Sequence, residues 1–173
     1  MPFVALAPDH ADALVAYLED YGGEAIPGYF CPRDWPHERC VQKLGAWARG
    51  EELQEGWVPC TTVFLVEQGE VLGHYNFRHL LNAGLERSGG HIGYAVRPSA
   101  RRRGHATRLL GDGLRLAGEH GLADVLVTVS PENRGSVRVI EKCGGELLDV
   151  SFHEGDQRDV ARYRVAVAGS SLQ

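Results

Sequence analysis

Long hydrophobic runs are missing from this chain of 173 residues. No apolar stretch reaches the roughly 18 residues that a membrane-spanning helix needs. The amino terminus also lacks the charged-then-apolar pattern of a secretory signal. We therefore expect no membrane partner and a cytoplasmic location. With 43% hydrophobic residues the chain can build a sizeable core, and we expect one domain over residues 1–173.

Cysteine is scarce, and its spacing argues against the common metal and disulfide frameworks. The chain has 4 cysteines, at Cys31, Cys40, Cys60 and Cys143. None of them forms a Cys-x-x-Cys pair, and none has a histidine at ligand spacing. We expect reduced thiols and no metal.

Excess positive charge is missing as well. Lysine and arginine total 18 against 23 acidic residues, so the formal net charge is −5. This balance argues against nucleic acid as a partner, except through a local basic patch. The Gly-Lys-Ser/Thr ending of a Walker A loop and the three glycines of a dinucleotide fold are also absent, which disfavours ATP and NAD.

The most informative segment that is present is a short basic turn between a strand and a helix. Gly90–Val96 reads as a mostly buried strand that must end near Pro98, which cannot donate to a sheet ladder. Next comes Arg101-Arg102-Arg103-Gly104-His105-Ala106-Thr107, which leads into a helix with one apolar face that Gly121 ends. Backbone N–H groups, a helix dipole and guanidinium charge meet there, which predicts a polyanion site. A solvated charge run is the open alternative.

Two motifs carry a resemblance to a known family. The spacing Arg-x-x-Gly-x-Ala at 101–106, after a strand ending in Val96-Arg97-Pro98, resembles the acyl-CoA pyrophosphate loop of the GNAT superfamily of N-acetyltransferases. Asn133-x-x-Ser136, followed by Glu141-Lys142-Cys143-Gly144-Gly145, resembles the segment by which family members bind the pantetheine and diphosphate of CoA. Taken alone, Asn133 is equally a plain helix cap.

The resemblance implies that acetyl-CoA is the acyl donor and implies which residues bind it. The expected cofactor-binding residues are Val96, Arg101, Arg102, Arg103, Gly104, His105, Ala106, Thr107, Asn133 and Ser136.

The resemblance also implies an α+β fold, in which a mixed, mostly antiparallel β-sheet is flanked by helices and a splayed central strand pair forms the acyl-CoA cleft. The predicted order is β, α, α, β, β, β, α, β, α, β, β. We expect Asp9 to cap a first helix that runs through Tyr21, with Leu14, Val15 and Leu18 inward. The remaining predicted segments are a helix from Pro36 to Gly50, a hairpin of Thr61–Glu67 and Val71–Leu80, a loop at Leu81–Gly89, a strand Ala123–Ser130 buried on both faces, a short helix after Asn133, and a last hairpin of Glu146–His153 and Arg158–Val167.

The implied reaction is direct transfer of an acetyl group to a primary amine of a small molecule or peptide. A backbone N–H on the strand ending at Val96 would stabilise the oxyanion. His91 is the candidate base, and a strand-end histidine bonded to a backbone carbonyl is the open alternative.

Arg78, His79 and Asn82 belong to a segment that is similar to one in an uncharacterised GNAT subgroup, which also has the His-Ile-Gly-Tyr-x-Val-Arg-Pro pattern found here at 91–98. We expect these residues to bind the acceptor, or else to tie down the loop that follows.

One position departs from the family pattern. Many members carry a tyrosine seven residues after the Asn, where its hydroxyl can protonate the leaving thiolate, and here that position is Ile140. A non-catalytic acyl-CoA-binding or regulatory domain is therefore the alternative function. The edges of the terminal hairpin leave a homodimer open.

Overall fold

The structure, a computed structural model, describes residues 2–167. The strands are β1 Phe3–Val4, β2 Cys60–Glu67, β3 Glu70–Arg78, β4 Ile92–Val96, β5 Asp124–Val129, β6 Gly145–His153 and β7 Arg158–Ala166. The helices are α1 Ala11–Asp20, α2 His37–Ala48, α3 Ala83–Arg87, α4 His105–Glu119 and α5 Arg134–Lys142. Short 3₁₀ turns lie at Pro8–His10 and Pro98–Ala100. The predicted α+β fold is confirmed.

The strands form two antiparallel sheets, one with the order β1-β2-β3-β4 and the other with the order β5-β7-β6. The predicted β2–β3 hairpin is present, with Thr62 opposite Asn76. Its turn places Gln68 and Gly69 at positive φ, 52° and 80°. This conformation matches the twist of a two-residue hairpin.

The two sheets meet between β4 and β5, which touch only at their base. His91 N–H donates to Leu126 C=O at 2.7 Å, and Gly90 bridges Val127. Gly90 has φ 62°, and a Cβ there would lie 2.4 Å from the Leu126 oxygen, so only glycine permits this approach. Within residues 2–167 no ladder joins the two strands beyond this point. The expected splayed pair is therefore present.

Helices cover both faces of the β1–β4 sheet. Leu109 and Leu110 of α4 are fully buried in a cluster with β3 and β4. On the other face, Leu14 and Tyr17 of α1 are buried with residues of α2 and β2. Each fully buried leucine contributes about 1.5–3 kcal/mol to folding. This packing fixes β4, the strand on which the site depends.

Three details of the prediction are wrong. Asp9 does not cap α1, because it lies inside the preceding 3₁₀ turn, and among the described residues no side chain caps that helix. Val15 faces outward with 53% of its surface exposed, and Tyr17 takes the inward position. The predicted loop at 81–89 contains α3.

The strand expected to be buried on both faces is also different. In β5, Val125 and Val127 are fully buried, but Leu126 and Thr128, which alternate with them, are only half-buried. The face of β5 that carries Leu126 and Thr128 is therefore only partly covered.

Candidate functional site

A cleft of about 470 Å³ lies beside the end of β4. Segments from β4, from the beginnings of α4 and α5 and from the region after α1 form its walls. The lining residues are Tyr21, Pro27, Tyr94, Ala95, Val96, Arg101, Arg102, Gly104, His105, Ala106, Thr107, Asn133, Gly135, Ser136 and Val139. None of these described residues is acidic, so the cleft favours an anion.

The beginning of α4 supplies backbone donors to the cleft. The first helical hydrogen bond runs from Arg108 N–H to Gly104 C=O at 3.3 Å. The N–H groups of residues 104–107 therefore have no acceptor within the helix. In this described helix no side chain caps the N-terminus and its first turn holds no acid. Gly104, with φ 84°, makes the left-handed turn that aims these amides at the cleft wall.

The three arginines before α4 take different positions. The Arg101 Nε donates to Val96 C=O at 3.2 Å, and its guanidinium carbon lies 5.8 Å from the ring centre of Tyr21. Arg101 and Arg102 line the cleft, whereas Arg103 lies outside its lining. Arg102 has φ 62°, a conformation that costs a non-glycine residue about 1–2 kcal/mol.

The hydrogen-bond register of β4 leaves two amides on the cleft side. Arg97 N–H donates to Leu72 C=O in the ladder with β3, at 3.0 Å. Bonding to a given neighbour alternates along an antiparallel strand. The N–H groups of Tyr94 and Val96 therefore point away from β3, toward the side on which β5 splays off.

The beginning of α5 forms the opposite wall. Asn133 Oδ1 accepts the Ser136 N–H at 3.1 Å, so Asn133 caps the helix and still lines the cleft. The hydroxyl of Tyr94 donates to the Ser136 carbonyl at 3.4 Å. Burial raises the pKa of Tyr94 to about 12, so this phenol stays protonated at neutral pH. Ile140, further along α5, is packed in the core.

The sequence did not identify Tyr21 as a residue of the cleft, nor the hydrogen-bonded pair of Tyr17 and His74 behind it. The Tyr21 hydroxyl lies 3.3 Å from that of Tyr17, which in turn lies 2.7 Å from His74 Nδ1. Burial lowers the pKa of His74 from 6.5 to about 4, so this histidine is neutral at pH 7. The i, i+4 spacing of the tyrosines places them on one face of α1, but nothing local ties that face to β3.

His91 lies outside the cleft lining. Its Nδ1 accepts the Leu126 N–H at 2.9 Å and so joins the bases of β4 and β5. Burial lowers its pKa. Because Nδ1 accepts, Nε2 carries the proton, and the ring has no free lone pair with which to act as a base. The ring is bonded to the backbone, as the alternative expected, but to an N–H group rather than to a carbonyl.

The three expected acceptor residues are not brought together. Asn82 caps α3 and donates to Gly56 C=O at 2.8 Å, which ties down the loop. His79 Nε2 lies 2.7 Å from Thr61 Oγ1. Arg78 lines a second cavity, of about 240 Å³.

The described residues contain no group of three or more His, Cys, Asp or Glu side chains arranged to hold a metal ion. No helix within 2–167 is long and apolar enough to cross a membrane.

The chain is similar to several solved structures. Mycobacterium smegmatis RimJ in complex with a CoA disulfide has 20% identity and a TM-score of 0.70, covering 99% of this chain and 84% of that one. RimL, a ribosomal L7/L12 alpha-N-protein acetyltransferase in complex with coenzyme A, has 16% identity and a TM-score of 0.69, covering 95% and 93%. A GNAT-family acetyltransferase from Streptococcus pneumoniae has 17% identity and a TM-score of 0.63, covering 96% and 98%. At these identities the likeness shows the fold.

No curated protein matches the chain. The family model described as acetyltransferase (GNAT) domain matches residues 3–146, which is most of the chain. The chain therefore belongs to the GNAT acetyltransferase family and is an acyltransferase.

Proposed function

We propose that this protein transfers an acetyl group from acetyl-CoA to a primary amine of a small molecule or peptide by direct attack. The observation that carries the proposal is the cleft beside β4, which has unpaired amides at the beginning of α4 and no acidic lining residue in the described chain. Two relatives of the same fold hold CoA species, which supports this donor.

The lining fits the donor's chemistry. The diphosphate would lie on the amides of residues 104–107, where the helix dipole and the guanidinium groups of Arg101 and Arg102 favour negative charge. The pantetheine arm would run between β4 and the beginning of α5, where Asn133 Nδ2 and the Ser136 hydroxyl offer polar contacts. Arg103 would contribute only long-range charge.

Acetyl-CoA, when bound, supplies an activated thioester. The Val96 N–H is available to donate to the acyl oxygen as negative charge develops there, because β3 leaves it unpaired. Tyr94 would take the role that Ile140 cannot fill. Its neutral hydroxyl lines the cleft and can give a proton to the leaving thiolate.

The acceptor's own proton leaves without a carboxylate base. The described cleft lining contains no Asp or Glu, and His91 uses its free lone pair on Leu126. His105, the one histidine of the lining, lies at the α4 amides that would hold the diphosphate. We therefore expect water to take the proton, so that the rate follows the ionisation of the acceptor amine.

The cytoplasmic location, the single-domain organisation and the homodimer stay predictions. β6 offers a surface for self-association, because Leu148, Val150 and Phe152 are each at least half exposed.

Calorimetry and a thiol-release assay test the proposal. We expect acetyl-CoA, and neither ATP nor NAD, to bind and to raise the melting temperature through linkage. We expect free thiol to appear only when a primary amine is added. Absence of acetyl-CoA uptake would overturn the proposal, and uptake without thiol release on a broad amine panel would favour the non-catalytic binding alternative.

A further inference from the structure

The second cavity, which we call the Arg78 cavity, has walls from several separate segments. Its lining residues are Phe30, Gly56, Trp57, Val58, Cys60, Asn76, Arg78 and Leu85. At about 240 Å³ it lies below the roughly 300–1,000 Å³ of drug-sized ligand pockets, which suits a molecule the size of an amino acid. The segment 27–30 borders both sites, since Pro27 lines the cleft and Phe30 lines the cavity.

Arg78 brings an uncompensated charge to this cavity. Its Nη1 donates to the carbonyls of Gly89 and Gly90 at 3.1 and 3.0 Å. Its Nε and Nη2 have no hydrogen-bond partner among residues 2–167, and no carboxylate of that range pairs with it. Desolvation by burial lowers the pKa of this guanidinium. Arg78 is half-buried, and an anion that joins a partly desolvated cation of this kind is favoured.

Asn76 contributes a hydrogen-bond acceptor, whereas Arg78 contributes donors. It is fully buried, and its Nδ2 donates to Thr62 Oγ1 at 3.0 Å. Its Oδ1 is a buried acceptor without a partner in the described chain. Asn76 and Arg78 lie on the same face of β3, about 7 Å apart. Two lining residues of the cavity thus carry polar groups without partners, donors on Arg78 and a fully buried acceptor on Asn76.

The sheet register orients these two groups relative to the cleft. Along β3, Asn76 lies opposite Gly93 and His74 lies opposite Ala95, which lines the cleft. Asn76 is therefore nearer to the cleft than Arg78 is. Gly93, opposite Asn76, leaves space beside this part of β3. The nearest atom to a Cβ built on Gly93 would be Arg78 Nη1, at 3.9 Å.

The remaining walls are aromatic and apolar. The ring centres of Phe30 and Trp57 are 5.2 Å apart, and the guanidinium carbon of Arg78 lies 6.0 Å from the Phe30 ring centre. Val58 and Leu85 complete the apolar lining. These walls suit an apolar side chain between the two polar ends.

We propose that the acceptor is a small primary amine that also carries a carboxylate, such as a free amino acid with an apolar side chain. Its carboxylate pairs with Nε and Nη2 of Arg78, the two-pronged geometry that guanidinium and carboxylate groups favour. Its amine lies on the Asn76 side, next to β4 and the cleft. This inference rests on the proposed acetyltransferase function.

The chemical step balances within that function. The ammonium first loses one proton to water, and the free amine forms the new N–C bond with the acetyl carbon. The C–S bond of the thioester breaks, and the nitrogen loses its second proton to water as the neutral amide forms. The departing thiolate takes a proton from Tyr94, which water then reprotonates.

Matched acceptor pairs test the inference on the unaltered protein. Each pair holds an apolar or aromatic amino acid and the amine that lacks only the carboxylate, with the amino acid amide and a short peptide as further members. We expect kcat/KM to be about 100-fold higher for the free amino acid, since sites built around a charged partner reject analogues without it. Equal or better use of the amine, the amide or the peptide would overturn the inference.

The variant Arg78→Met provides a second test of the inference. Arg87 is an exposed arginine of α3, and Arg87→Met is the matched control. We expect Arg78→Met to raise the KM of the amino acid and to reduce its kcat/KM advantage over the carboxylate-free amine to below about 10-fold. Arg87→Met should keep the full advantage. An unchanged discrimination in a folded Arg78→Met protein would overturn the inference.

Calorimetry with acetyl-CoA distinguishes a failure of the acceptor assignment from a failure of the acetyltransferase function. Uptake of acetyl-CoA with acetylation of carboxylate-free amines alone would leave the acetyltransferase function standing and overturn the acceptor assignment. Absence of uptake would overturn both. Should Arg78→Met fail to fold, the acceptor pairs on the unaltered protein still decide.

Discussion

The cleft and the Arg78 cavity share strands β3 and β4 but are built in opposite ways. The cleft offers free backbone N–H groups, at the beginning of α4 and along the free edge of β4, in addition to its polar side chains. The cavity takes its polar groups from two side chains, Asn76 and Arg78. A backbone site persists through most substitutions, whereas a side-chain site changes with one. Under the proposed assignment, the donor site is therefore generic, and the acceptor site sets the specificity.

The largest expected effect comes from placing an acid among the α4 amides. Ala106→Glu puts a carboxylate where the diphosphate would lie, and like-charge juxtaposition costs several kcal/mol. We expect calorimetry to show acetyl-CoA affinity lower by about 100-fold, or about 2.7 kcal/mol. The melting temperature should hold, because an acid at a helix N-terminus is favourable.

Ala106→Gln is the matched control for size, and it should lose far less affinity than the Glu variant. Equal losses in the two variants would show that bulk rather than charge is responsible, which would contradict the amide-based donor site.

The next effect concerns β3, the strand that both sites share. The pKa of His74 falls from 6.5 to about 4 on burial, so between these values the unfolded chain binds a proton that the folded chain does not. Stability must therefore decrease as pH falls through this window, by about 2 kcal/mol at pH 5 for this residue. In urea denaturation, His74→Gln should remove that part of the difference between pH 7 and pH 5. An identical pH dependence in the two proteins would contradict a neutral buried His74.

A smaller effect is expected at the sulphur end of the cleft. Tyr94→Phe removes the hydroxyl that would protonate the thiolate, while the ring keeps its packing. Because a thiolate is a fair leaving group even unprotonated, we expect kcat to fall by only about 10-fold, below the usual range for general acids. Acetyl-CoA affinity should stay within about 2-fold. A loss of affinity with unchanged kcat would make Tyr94 a binding residue.

The smallest effect is expected at His91. His91→Asn keeps a side-chain acceptor for the Leu126 N–H that joins β4 to β5. We expect kcat within about 3-fold of the original and an unchanged pH profile, because a substitution that preserves the contact of the original side chain costs little. Loss of the alkaline-rising limb of the profile would instead identify His91 as the base.

The same contrast explains what the sequence could predict. The turn from Arg101 to Thr107 is local, so its residue types alone indicate an anion site at a helix N-terminus, and Arg101 and Gly104 do line the cleft. Periodicity likewise predicts the buried face of α4, including Leu109 and Leu110. Both signals lie within one short stretch of chain.

Features made by distant segments were not predictable in this way. Tyr21 reaches the cleft from the end of α1, and Arg78 meets Phe30 and Trp57 only because the sheet register and the loop after α1 bring them together. His91 is attractive as a base by residue type, but its role depends on a bond to Leu126, on a strand far away in sequence. Composition and spacing carry no record of these pairings.

The most direct test compares acetyl-CoA with S-acetylpantetheine, a thioester that lacks the diphosphate, by calorimetry on the original protein and on Ala106→Glu. The account predicts that the original protein binds acetyl-CoA about 100-fold more tightly than the truncated thioester, and that this ratio falls below about 10-fold in the variant. The same ratio in both proteins would mean that the diphosphate lies elsewhere, and would contradict the assignment of the α4 amides.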